Sequence, residues 1–423
     1  MEKAKGVSLD QLFDKMNVKD RFAIIRTVAQ YQLQWLKRPF SGYGSLYFSS
    51  DLEDSEKLSP AVADGYKVRD DGKFAIGPAV GRQWLDNGRL LVDTHRGPCK
   101  LSSPFLNLEV LSCAGTRSED YLAAVAHREI ACVREMSPLP KSFLTLFGPA
   151  TYQPSREKKI RALQFYLKLI NTLLLSDESL LQPCLWHADL HIENIFVDPA
   201  NPTHITSIID WQSTEVMPLF LQFRQPFFID FEGPQPEGLE RPRLPPDLKS
   251  QTQEEQHASR QMYLKQSLVS LYRTFMHKSS SMSRLCLEFQ DTPHYLFILL
   301  APHLLLDGEA TFMAQILDLA ENGDDKPENV KLRDACKYIS HSLSADEKNE
   351  IQSDLEGSLR GIELMKELKE EMGDLFPERG IVRTENYDAA KSVLAQAKKQ
   401  IIDDFAKNEE EKAAWKRAWP FDI

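Results

Sequence analysis

Three oxygen-bearing side chains at two fixed spacings constrain this 423-residue chain more than any other feature of its sequence. The stretch Leu185-Trp186-His187-Ala188-Asp189-Leu190-His191-Ile192-Glu193-Asn194-Ile195-Phe196-Val197 is followed, past a turn around Pro199 and Pro202, by Ile208-Ile209-Asp210-Trp211. The runs Asn194–Val197 and Ile205–Trp211 predict two short buried strands flanking that turn. Asp189 then falls on the loop before the first strand, Asn194 at its start, and Asp210 at the end of the second. Carboxylate and amide oxygens gathered this way suit a hard divalent cation.

Bulk properties exclude several classes. Hydrophobic residues make up 42% and charged residues 27%, a soluble globular balance that argues against disorder. A formal net charge of -11 argues against a nucleic-acid groove. Cys99, Cys113, Cys132, Cys184, Cys286 and Cys336 lie far apart with no CxxC pair, a pattern of reduced thiols. The most apolar run, Tyr295 to Leu306, is interrupted by Pro302 and His303, so it predicts a buried helix or helix pair and no membrane span. Met1–Gly6 has neither the apolar core of a signal peptide nor an Arg/Ser-rich amphipathic stretch, so the chain as given reads as cytoplasmic.

Along the chain, Ser8 is a candidate N-cap, and Asp20 opens a helix with Phe22, Ile25, Val28, Ala29 and Trp35 as apolar positions. Thr116 and Glu119 have capping-box spacing ahead of a further helix. Residues 155–175 predict a helix burying Ile160, Leu163, Leu167, Ile170 and Leu174. Gly233 to Pro246 is the clearest linker. The chain beyond it is helix-patterned, with Glu363, Lys366, Glu367, Lys369, Glu370 and Glu371 forming a solvated face. This gives a core over 1–232, a Pro-rich linker over 233–248 and a helical extension over 249–423. Gly42-Tyr43-Gly44 has no third glycine in register and reads as a turn. Cys184 reads as packing, and His187 and His191 as satisfied buried histidines.

Phosphoryl transfer needs one carboxylate against the attacking hydroxyl and oxygen ligands holding Mg²⁺ on the ATP phosphates. The four residues between Asp189 and Asn194 match the gap between catalytic Asp and metal-binding Asn in kinase loops, and Asp210 falls where kinases place a second Mg²⁺ ligand. His-x-Asp-Leu-His-x-x-Asn followed by Ile-Asp-Trp resembles the signature of the aminoglycoside phosphotransferase/choline kinase-like family. Ala188 stands where that family commonly has Gly. Gly42-Tyr43-Gly44-Ser45-Leu46-Tyr47, Asp307-Gly308-Glu309-Ala310 and Trp419-Pro420-Phe421-Asp422 extend the likeness to a fungal subgroup, that of altered inheritance of mitochondria protein 9. The resemblance implies an α+β, protein-kinase-like fold represented mostly by its helical C-terminal lobe. It implies Asp189 as the base or hydroxyl-orienting residue, Asn194 and Asp210 as Mg²⁺ ligands, ATP as donor, a small-molecule hydroxyl as acceptor, and a mitochondrial location. The acceptor and the oligomeric state are not legible.

The resemblance also implies a preceding lobe with a glycine-rich strand pair, a strand Lys and a helix Glu, and it sets Met1-Glu2-Lys3 at the hinge after that lobe. Impaired transfer by this chain is therefore an expectation, with a non-catalytic scaffold as the alternative. Isothermal titration tests it: micromolar Mg·ATP binding by residues 1–423 alone refutes it. Lys100 to about Gly115 interrupts the family pattern. Cys99-Lys100-Leu101 can encode a fungal splice donor and Ala114-Gly115 an acceptor, so a retained intron stands beside a tolerated surface insertion. Uniformly unspliced transcripts would end the intron reading. A third alternative makes His187, Asp189 and His191 metal ligands of a hydrolase, which leaves Asn194 and Asp210 without a role.

Overall fold

The computed structural model describes residues 3–38, 40–53, 72–94, 118–174, 177–377 and 381–421. Thr116 with its expected cap, Cys99, Cys113 and the 100–115 insertion lie outside those residues. The architecture is α+β, with many helices and three small antiparallel sheets. Two compact units divide the chain: residues 1–85, 95–121 and 175–292 form the first, and 86–94, 122–174 and 293–423 the second.

Among the described residues the strands all fall in the first unit: β1 (Val7–Ser8), β2 (Ser45–Phe48), β3 (Phe74–Gly77), β4 (Pro183–Leu185), β5 (Ile195–Asp198), β6 (Asn201–Ile208) and β7 (Val216–Pro218). They pair as β1-β5-β6, β2-β3 and β4-β7. The β5–β6 hairpin brings Ile195 opposite Ile208. Its turn is closed by the Asp198 carboxylate, which accepts the Ala200 N–H at 2.9 Å. The second strand thus starts earlier than its apolar run suggests, at Asn201, and ends at Ile208. Ser8 is not a cap; its backbone pairs with Phe196 of β5. The helix Val18–Trp35 is capped by Asn17, whose side chain accepts from Asp20 N–H at 2.9 Å, and it buries Ile25, Val28 and Ala29 as expected. Gly42-Tyr43-Gly44 is a bend, and Gly44 bridges to Val216. Gly233–Pro246 runs inside this unit, where the Pro234 and Pro236 carbonyls accept from Gln266 and Arg273 of the helix Gln253–Ser279.

The second unit is helical. Ser155 caps the helix Arg156–Leu173. Its buried face holds Leu163 and Ile170 but is centred on Ala162, Phe165, Tyr166, Leu169 and Leu173. Leu146, Met365, Leu368, Met372, Leu394 and Trp415 anchor one core cluster. The apolar run after Tyr295 forms the helix Pro293–Leu300 and a 3₁₀ turn Ala301–His303, burying Phe297, Ile298, Leu304 and Leu305. Among the described residues no helix is long and apolar enough to cross a membrane. The charged residues between Glu363 and Glu371 are exposed, as their pattern predicts. The helix Ala345–Met372 starts with a capping box, Ser344 and Glu347 each accepting the other's backbone N–H. Ser344→Ala is expected to cost about 1 kcal/mol, read as a lower urea midpoint. An unchanged midpoint would show the cap to be redundant.

Candidate active site

The chain enters the site along β4. Two residues after that strand, His187 is 1% exposed. Its Nε2 lies 2.8 Å from the Ile209 carbonyl, and its Nδ1 accepts the Asp189 N–H at 3.2 Å. A nitrogen that accepts carries no proton, so the ring is the neutral tautomer donating from Nε2. Burial pushes its pKa below the ordinary histidine value, outweighing the Ile209 carbonyl, which acts in the opposite direction. Both nitrogens are spent on backbone, leaving no lone pair for a metal. That removes His187 from the hydrolase alternative and makes it a brace between the loop and the residue before Asp210.

The Asp189 carbonyl oxygen collects two donors, the His191 N–H and Asn194 Nδ2, both at 2.8 Å. Because Asn194 Nδ2 meets a carbonyl, the amide is oriented with Oδ1 as its remaining acceptor. The Asn194 carbonyl in turn accepts the Ile209 N–H at 2.9 Å, carrying the hairpin ladder one step past β6. Asp210 comes next, with φ of 63°, the left-handed region that non-glycine residues rarely adopt and that Asp tolerates best. This ends the strand and re-aims the carboxylate, which is why β6 stops short of the predicted Trp211. Trp211 closes the far side: its Nε1 donates to the Ile208 carbonyl at 3.1 Å, and its ring packs on His187 at 4.6 Å and on Trp35 at 5.3 Å.

The Asp189 carboxylate is half-exposed, with His191 Nε2 3.0 Å from Oδ1; His191 is half-exposed as well, so it is not the buried histidine that the sequence suggests. The His191 ring stacks on Phe227 at 4.6 Å, nearly parallel, and the Arg224 guanidinium lies 4.1 Å from the Phe227 ring centroid. Arg224 also donates to the Ala188 carbonyl. Sequence reasoning passes over Arg224, Phe227 and Trp35, since no spacing rule links them to the loop. Cys184 is fully buried and its thiol pKa is pushed upward by that burial, so it is packing and no nucleophile.

The tie through His187 has a pH consequence. A base whose folded pKa is depressed leaves the unfolded chain binding more protons as pH falls below about 6.5. Its contribution to stability is complete above that pH and is lost as pH drops toward the folded value. His127 and His294 are lowered by burial in the same direction. Urea unfolding is expected to show stability falling from pH 7.5 to 5.5, with His187→Asn removing up to one proton from the slope. A slope identical in that variant would mean that His187 is not held neutral.

His187 and Asn194 thus tie the loop carrying the half-exposed Asp189 to Ile209, the residue before Asp210. Residues 124–221 match the model of the phosphotransferase enzyme family, so the resemblance carried by the loop motif is borne out. The chain is similar to a subtelomeric hrmA-associated cluster protein of Aspergillus fumigatus, 28% identical over 270 residues, which cover 60% of this chain and 50% of that protein. It is also similar to the protein named altered inheritance of mitochondria protein 9, mitochondrial, of Kluyveromyces lactis, 27% identical over 240 residues, covering 54% of this chain and 34% of that one. The Zygosaccharomyces rouxii protein of the same name is 26% identical over 221 residues, covering 50% and 33%. The chain thus spans about half the length, or less, of these relatives. No solved structure matches it.

Proposed function

We propose that this chain carries the acceptor-activating and metal-holding part of an ATP- and Mg²⁺-dependent phosphotransferase that acts on a hydroxyl group of a small molecule. The observation that carries the reading is the chain of contacts running from the Asp189 carbonyl to Asn194 Nδ2, and from the Asn194 carbonyl to Ile209 beside Asp210. It ties the backbone at Asp189, Asn194 and Ile209 together, which supports a fixed spacing of the three residues. Asn194 Oδ1 and the Asp210 carboxylate are hard oxygen donors of the kind Mg²⁺ takes, and they are the residues that would hold it. Mg²⁺ on the ATP phosphates supplies charge neutralisation for the transferred group. Asp189 orients the acceptor hydroxyl and takes its proton, while the His191 contact holds its carboxylate in one rotamer.

A cavity of about 260 Å³ in the first unit supports a small acceptor, since Arg224, which holds the Ala188 carbonyl, also forms part of its wall. Arg273, Glu288 and Asp291 give that wall both signs of charge, matching a polar acceptor. A mitochondrial location is proposed from the names of the yeast relatives. Titrating the protein with Mg·ATP, followed by transfer of the labelled γ-phosphate from ATP to a panel of polyols, amino alcohols and sugars, tests the reading. Binding weaker than micromolar in the chain as given, and weaker still in Asp210→Asn and Asn194→Ala, is the expected result. Affinity indifferent to both variants would remove the metal assignment, and binding without transfer to any acceptor would favour a scaffold.

A further inference from the structure

We propose a second ligand site, for a small organic anion, in the second unit. A cavity of about 290 Å³ is lined by Lys141, Lys159 and Arg417 together with Ser142, Thr145 and Gln153, and by apolar residues such as Leu306. Among the described residues no carboxylate lines it. The Lys159 charge is answered from behind: its Nζ lies 2.9 Å from Glu309 Oε1 and donates to the Leu304 and Leu306 carbonyls. Lys141 Nζ meets only a neutral group, the Trp419 carbonyl at 2.7 Å. Arg417 is exposed and pairs with no carboxylate among the described residues. Lys141 and Arg417, both exposed, thus line the cavity without an ion pair to a described carboxylate, with Asp307 behind the lining Ser142 as a neighbouring negative charge.

The cavity is partly open to solvent, and the segments beside it are fixed. Trp415, 1% exposed, packs on Gly148 so closely that a Cβ there would lie 2.2 Å from the indole. Ser142 donates to Asp307 and also accepts the Leu144 and Thr145 N–H groups, which fixes the loop that forms one wall. Thr145 and Lys159 are themselves buried. Guanidinium and ammonium groups above an apolar floor match a carboxylate or phosphate head on a compact apolar body, and the volume limits that body to about one ring. The site does not rest on the phosphotransferase reading, and it stands or falls without it.

Isothermal titration of the full chain with phenyl phosphate, benzoate and phenol decides the matter. Both anions, or one of them, are expected to bind while phenol does not, and a preference between the two separates a phosphate-ester ligand from a carboxylate. Arg417→Gln, at an exposed position outside the core, is expected to weaken binding by about tenfold or more. Lys141→Gln is expected to act in the same direction, with a thermal melt of the free protein checking that the Trp419 contact is dispensable for folding. Phenol binding as well as the anions, anion affinity unchanged in Arg417→Gln, or no heat with either anion would each overturn the proposal.

Discussion

Asp189→Asn is expected to lower phosphoryl transfer by about 10²–10⁴-fold while leaving Mg·ATP affinity close to that of the parent protein. Asn has the shape of Asp and keeps an oxygen to accept from His191, so the loop stays in place. What it loses is the ability to take the hydroxyl proton. Asn194 and Asp210 are untouched, so donor binding persists. The split between kcat and nucleotide affinity is the diagnostic. A loss of binding in step with turnover would make Asp189 a loop-stabilising residue. Turnover equal to the parent's would take it out of the chemistry.

The second large effect concerns stability. Glu129 is 0% exposed and holds two guanidiniums. Its Oε1 accepts Arg89 Nε at 3.0 Å and Arg128 Nε at 2.7 Å, and its Oε2 accepts the Arg89 NH₂ at 3.0 Å. Arg89 also donates to the Pro302 carbonyl at 3.0 Å. Glu129→Ala leaves two buried cations facing a void, and breaking a buried pair from one side costs about 3–5 kcal/mol. Against a total stability of about 5–15 kcal/mol, that is enough to empty much of the folded population at 37 °C. Glu129→Gln, which keeps the shape and one acceptor oxygen, is expected to fall between. Urea denaturation of the three proteins at pH 7 gives the order. A Glu129→Ala midpoint within error of the parent would mean that the arginines find other acceptors.

The loop was legible because its chemistry is local. Asp189, Asn194 and Asp210 flank one hairpin, so the motif can be read from residue type and spacing alone. Helices were legible where a cap and an apolar stripe coincide, as at Ser155 and along Val18–Trp35. Long-range ties escaped. Lys159 is no member of the apolar face expected for its helix, yet it is buried on Glu309, 150 residues away. Ser8 has the residue type of a cap, but strand pairing with β5 outweighs a single side-chain bond. The stop of β6 was misjudged because hydrophobicity continues through Ile209 to Trp211 while the backbone turns at Asp210. Arg224 and Phe227 wall the site from a segment whose own sequence gives no hint of it.

The brace at His187 also acts as a proofreader of assembly. Its ring reaches one particular carbonyl, that of Ile209, and a slip of the hairpin by a single residue would swing Asp210 to the opposite side and take that acceptor away. A mispaired hairpin would strand a buried imidazole N–H without a partner, so the same contact that sets the reactive geometry penalises the wrong register before any ligand arrives.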